Sequence, residues 1–78
     1  MYMGGIKMEI DLSKDNTAYE LNKESIVYIF FKNGERTVLT RKKRLDVYCG
    51  LLIIPTHIFK LEDIEKVLAF DVLREIKL

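Results

Sequence analysis

The sequence predicts an α+β domain: an antiparallel β-meander of about four to six strands with one C-terminal helix packed on a face, the alternative being a small all-β barrel. Three observations carry this expectation. Apolar and polar residues alternate from Ile6 to Leu12, an apolar run from Ile26 to Phe31 leads into Asn33-Gly34, and apolar residues recur at helical spacing from Leu61 to Ile76.

Ile6, Met8, Ile10 and Leu12 alternate with Lys7, Glu9 and Asp11, the period of two that gives a strand one wet face. Ser13 to Asn16 collects turn formers, whose side chains compete for backbone hydrogen bonds. Thr17, Tyr19 and Leu21 then resume the alternation, so these two segments are expected to pair as a hairpin. Every residue from Ile26 to Phe31 is apolar and most are β-branched or aromatic, which predicts a central strand covered on both faces. Asn and Gly both tolerate positive φ, so Asn33-Gly34 predicts a type I′ turn. An antiparallel strand should follow from about Glu35 to Thr40, with Val38 facing away from Thr37 and Leu39. The cations Arg41 to Arg44 make the next connection, and Leu45, Val47 and Cys49 resume a strand. Gly50 marks a bulge or bend before the run Leu51 to Ile54, which Pro55 ends unless it sits on an edge.

A helix from Leu61 to Ile76 would place Leu61, Ile64, Leu68, Val72 and Ile76 on one stripe. Glu62 and Asp63 would stand at its positive end, Arg74 and Lys77 at its negative end, and Glu62 four residues before Lys66. Against a helix, Glu65 and Glu75 fall inside the apolar arc, and Leu68, Phe70 and Val72 alternate as in a strand. The spacing favours the helix.

Seventy-eight residues suit one domain, 1–78, whose cleft would be shallow or shared with a partner chain. With 49% apolar and 32% charged residues the balance is that of a globular rather than a disordered chain. Met1, Met3 and Met8 leave the start open, and residues 1–5 are expected to be loose. Thirteen Lys and Arg nearly cancel twelve Asp and Glu, so any attraction to nucleic acid must come from a local patch. Cys49 stands alone, which excludes an intrachain disulfide and points to a reducing, cytoplasmic setting. The longest apolar runs fall far below the roughly 18 residues of a membrane span. The opening residues do not read as a signal peptide, and Gly4 lies too far in for myristoylation. No membrane partner is expected.

Enzymatic readings find little to stand on. His57 and Cys49 are the only pair that resembles a base and a thiol nucleophile, and no third group or oxyanion hole is identifiable beside them. Cys49 reads instead as a buried, inert strand residue. Zinc-type spacing and a phosphate-cradling glycine loop are both absent from the sequence, so no catalytic, metal or cofactor site is expected.

The basic run stands out. Arg41, Lys42, Lys43 and Arg44 at a hairpin tip, with Arg36 near the other end of the same strand, can grip phosphates, and Tyr28, Phe30 or Tyr48 can offer a stacking face. A plainer reading makes the run a solvated turn that discourages edge-to-edge pairing. Glu62, Asp63, Glu65, Asp71 and Glu75 crowd the last fifth of the chain. They read as an exposed helix face, or as the complement of the basic hairpin in a second copy across a two-fold contact.

From Val27 to Val67 the order strand, Asn33-Gly34, strand, Leu45-Asp46, Leu51 to Ile54, then Phe59 to Ile64 resembles the five-stranded Sm-like barrels that bind RNA as rings, a small Sm/SH3-like fold. The likeness covers about half the chain. The glycine of the family's second strand falls here among Thr37, Val38 and Leu39, no asparagine follows Asp46, and Phe59 to Ile64 lacks the Arg-Gly or Lys-His of the last loop. The resemblance therefore implies a fold and not the family's RNA contacts. Taken together, the residues predict a non-enzymatic, self-associating binding or assembly module, a homo-oligomer with nucleic acid as a further partner through Arg36 and Arg41 to Arg44. The alternatives are an Sm-like RNA-binding small barrel or a protein-interaction module with no nucleic-acid role.

Overall fold

The protein is described by a computed structural model over residues 6–78; the expectation of looseness at residues 1–5 lies outside the described residues. Among the described residues seven strands follow in chain order: β1 (Ile6–Glu9), β2 (Thr17–Phe31), β3 (Arg36–Thr40), β4 (Arg44–Tyr48), β5 (Leu51–Ile54), β6 (His57–Lys60) and β7 (Ile64–Lys77). One 3-10 turn, Leu61–Asp63, precedes β7. All pairings are antiparallel, in the order β1-β7-β2-β4-β5-β6 with β3 also on β2, and the sheet curls into an open half-barrel. The small all-β barrel is thus the alternative that fits, and the α+β fold with a C-terminal helix is corrected.

β2 organises the sheet because it serves three neighbours. One edge pairs with β7 from Thr17↔Lys77 to Phe31↔Ile64. The other edge pairs first with β4, over Thr17 to Glu20, and then with β3, over Ile26 to Phe30. Between these stretches Leu21 lies opposite Val72 and Ile26 opposite Phe70, so Asn22 to Ser25 face Asp71 alone. Extra residues on one strand bend it and sharpen its twist, and Asp71 meets the bend at φ 64. The bend folds the sheet into two halves with the core between them. Val27, Ile29, Leu39, Val67 and Ala69 come from one half, and Tyr19, Leu45, Val47, Leu52 and Ile54 from the other. Each Val, Leu or Ile among them contributes about 1.5–3 kcal/mol on full burial.

The missing helix has a geometric explanation. The residues of β7 that face the core are Ile64, Val67, Ala69 and Val72. Their steps of three and two arise because two of the ladder's three slips fall between Ile64 and Val72, one where Lys66 and Ile64 face Phe30 and Phe31, and one at Asp71. The first slip leaves Glu65 extra on β7, and at the second Asp71 takes φ 64 opposite four residues of β2. Each turns the strand's period of two into a step of three, the spacing a helix uses. Of the expected stripe Leu61, Ile64, Leu68, Val72 and Ile76, only Ile64 and Val72 are buried in the core, and Leu68 lies on the opposite face beside Tyr28.

Four other expectations change. β1 pairs with the outer edge of β7 and not with β2. Ser13 to Asn16 does turn, with Asp11 Oδ1 accepting from Ser13 N at 2.9 Å, but the turn carries the chain from one edge of β7 to the other. Ile26 to Phe31 lies centrally as expected, yet only Val27 and Ile29 are fully buried, while Ile26, Tyr28 and Phe30 are half-buried on the opposite face. At Asn33-Gly34 only Gly34 takes positive φ, 92, and its N–H donates to Phe31 O at 3.0 Å. This is the three-residue loop with a left-handed glycine, not the two-residue type I′ form. That form occurs at Cys49-Gly50, φ 51 and 75, which joins β4 to β5 and leaves Cys49 exposed in a turn rather than buried on a strand.

Ile29 is fully buried at the centre of β2. Ile29→Ala is expected to cost about 2–5 kcal/mol in urea unfolding, and Phe31→Ala less, because Phe31 is only half-buried. Tyr19 is also fully buried, and its hydroxyl has no hydrogen-bond partner among the described residues. Burial pushes its phenol above the ordinary value, with Glu75 adding to the shift. A phenol raised in the folded state contributes stability that is complete below the unfolded value of about 10 and is lost as pH rises through the folded value. Tyr19→Phe should therefore leave stability near neutral pH within about 1 kcal/mol of the parent, or above it. It should also flatten the decline above about pH 10 in paired urea titrations.

Candidate nucleic-acid interface

Alternation in β2 sends Val27 and Ile29 inward and Ile26, Tyr28 and Phe30 outward. Residues directly opposite in an antiparallel pair share a face, so the register builds a patch on the outside of β7, β2 and β3. Its rows are Lys66, Phe30 and Arg36; Leu68, Tyr28 and Val38; and Phe70, Ile26 and Thr40. The Tyr28 and Phe70 rings meet edge to face at 5.6 Å, and the Lys66 ammonium sits 5.3 Å from the centre of the Phe30 ring. The first row thus reads cation, aromatic ring, cation across three strands. Val38 is 46% exposed.

The basic run continues from the far end of this patch, but not as a hairpin tip. β3 and β4 do not pair with each other; both pair with β2, and Arg41 to Lys43 forms the corner between them. Three bonds pin that corner to the bend of β2. Arg41 N donates to Ser25 O at 2.9 Å and Leu21 N to Lys43 O at 2.8 Å, while the buried Ser25 hydroxyl donates to Lys42 O. Arg41 adopts φ 59 to make the turn. With about 3.4 Å per residue, Arg36 and Arg41 stand about 17 Å apart at opposite ends of β3.

The five anticipated cations therefore divide. Arg36 joins Phe30 and Lys66 at one end of the patch, and Arg41 and Lys43 are exposed at the other. Lys42 is half-buried and reaches the Pro55-Thr56 turn, its Nζ 3.4 Å from Thr56 Oγ1. Arg44 lies elsewhere: it pairs with Asp46 at 2.7 Å, directly across from Glu20, which itself pairs with Arg74 at 3.0 Å. This alternating ladder on the other half-sheet neutralises Arg44 and removes it from the patch. Tyr48 also lies outside the patch, beside Leu51.

The acidic residues do not form a helix face. Glu62 and Asp63 sit in the 3-10 turn, Asp71 in the bulge, and Glu75 on β7 with Lys14 at 3.0 Å. His57 stacks on Phe59 with ring centres 6.0 Å apart. The length of β5, about 10 Å at strand rise, separates His57 from Cys49, well beyond the reach of a base and its nucleophile. Among the described residues no cluster of three His, Cys, Asp or Glu side chains is placed to hold a metal. No protein family, curated protein or solved structure matches the chain.

Lys66, Leu68 and Phe70 complete the patch, and the sequence reading passed over them because it placed them on a helix. The signal that marks them is the alternation of Lys66, Leu68 and Phe70 itself, which sets all three on one side of a strand.

The Ser25 hydroxyl is the side-chain pin of the corner. Ser25→Ala is expected to lower stability by about 1–3 kcal/mol through loss of a buried hydrogen bond. Hydrogen exchange of the Arg41 and Leu21 amides should rise more than that of the β5 amides.

Proposed function

We propose that this chain is a non-enzymatic, self-associating binding module that holds single-stranded nucleic acid on the outer face of β7, β2 and β3. The observation that carries the reading is the row Lys66, Phe30 and Arg36 beside Tyr28 and Phe70, with Arg41 and Lys43 at the far end. Single strands are held where aromatic rings offer stacking surfaces and cations track the backbone between them. A base that stacks on Phe30 displaces Lys66 from the ring. The displaced contact is worth only about 0.5–1 kcal/mol at an exposed site, and the released ammonium then meets phosphate.

Single strands fit better than duplex for two reasons. The patch is apolar at its centre, and unstacked bases can use that surface whereas a duplex hides them. The cations are also few. Arg36, Lys43, Lys66 and one or two more of the corner neutralise about four phosphates, short of the roughly 6–10 of a strong duplex binder.

Binding of a short unstructured oligonucleotide should weaken with salt at a slope of about −3, near 0.7 per contacted phosphate. Arg36→Gln with Lys43→Gln should flatten the slope by about 1.4. Phe30→Ala should weaken binding by about 1–3 kcal/mol without changing the slope. Fluorescence anisotropy over a salt series measures all three. Absence of salt-sensitive binding at low ionic strength would remove the nucleic-acid reading.

A further inference from the structure

Among the described residues the outer edge of β3 is unpaired, since β3 pairs only with β2. Phe31 N donates to Glu35 O and Arg41 N to Ser25 O, which sets the parity of the ladder. Thr37 and Leu39 turn their backbone groups toward β2, while Arg36, Val38 and Thr40 turn theirs to the free edge. Three alternate residues thus present N–H and C=O groups unmet among the described residues, the template that accepts an added strand. β6 is the other edge with an exposed apolar side chain, Ile58, but it runs only four residues.

We propose that β3 is the interface of a two-fold dimer in which the β3 strands of two copies pair antiparallel, with Val38 on the axis. This names the surface for the self-association proposed above and rests on it. Of the symmetric registers, this one engages all three outward-facing residues, with Val38 opposite Val38 and Arg36 opposite Thr40 of the second copy. It also sets Glu35 of each copy against Arg41 of the other. Both residues are exposed, and neither has an ion-pair partner among the described residues. A two-fold contact uses each complementary pair twice, so one register satisfies the free backbone groups, the exposed valine and the two unpaired charges together. The outer patches of the two copies then join into one surface running from Phe70 through Tyr28 and Val38 to the same residues of the second copy.

Sedimentation equilibrium of the full chain at micromolar concentration tests this. The parent should be a dimer. Val38→Pro should raise the dimer dissociation constant by about tenfold or more, because proline removes the outward N–H while β2 loses no bond. Circular dichroism should show the fold retained. Glu35→Arg should weaken the dimer by placing two arginines face to face, and adding Arg41→Glu in the same chain should restore it. This charge exchange decides the matter even if the proline variant misfolds. A monomeric parent would overturn self-association and this interface together. A dimer indifferent to both the proline and the charge exchange would overturn only the β3 interface. The oligonucleotide titration stands apart from both results.

Discussion

The antiparallel ladder between β2 and β7 is the constraint on which the rest of the structure depends. It runs from Thr17↔Lys77 to Phe31↔Ile64 and is broken midway where Asn22 to Ser25 face Asp71. Without that mismatch the two strands would form one gently twisted ribbon with an unburied apolar face. With it, each strand changes direction, and the same two strands floor both halves of the barrel. β3 and β4 are accommodated as successive partners of one edge because β2 bends between them. The basic corner is the connection this geometry requires, so its place in the molecule follows from the ladder rather than from its charge.

Local signals were read well where the chain answers to local chemistry. Strand character at Ile6 to Glu9, Ile26 to Phe31 and Arg36 to Thr40, and the turns around Asn33-Gly34 and Pro55, follow from side-chain alternation and backbone preference. The errors fall where a distant partner decides. Ile64, Val67 and Val72 line up at helical spacing only because β2 forces two slips on β7, and nothing within β7 announces them. The partner of β1 was misassigned for a similar reason. Proximity in sequence favours a hairpin with β2, but β7 offers a free edge that is apolar from Val67 to Phe70, where β1 pairs. Cys49-Gly50 hid its turn because cysteine lacks the positive-φ tolerance that makes asparagine recognisable.

The candidate site was legible in part. Tyr28 and Phe30 were seen as stacking groups and Arg36 as a cation, since alternation alone separates their face from Val27 and Ile29. Their neighbours on β7 were hidden by the helical reading. Arg44 looked equivalent to Arg41 to Lys43 in sequence, yet it pairs with Asp46 two residues along β4, and strand register sets Glu20 opposite it. A run of like charges is one feature on paper and can be two in space, because a strand sends successive side chains to opposite faces while a corner splays them.

The reach of the central ladder bears on how the molecule assembles. Thr17 and Lys77 close a loop of about 60 residues, and such closure costs entropy before any native contact returns it. Chains dominated by pairings this distant fold in milliseconds to seconds rather than microseconds. A nascent chain lacking β7 can form the β2–β3 hairpin and the β4–β5–β6 meander, but it exposes the edge of β2 that β7 covers and the core residues that pack on Ile64, Val67, Ala69 and Val72. During synthesis, therefore, the segment from Thr17 to Lys60 is a sticky intermediate that waits for Ile64 to Lys77 to emerge.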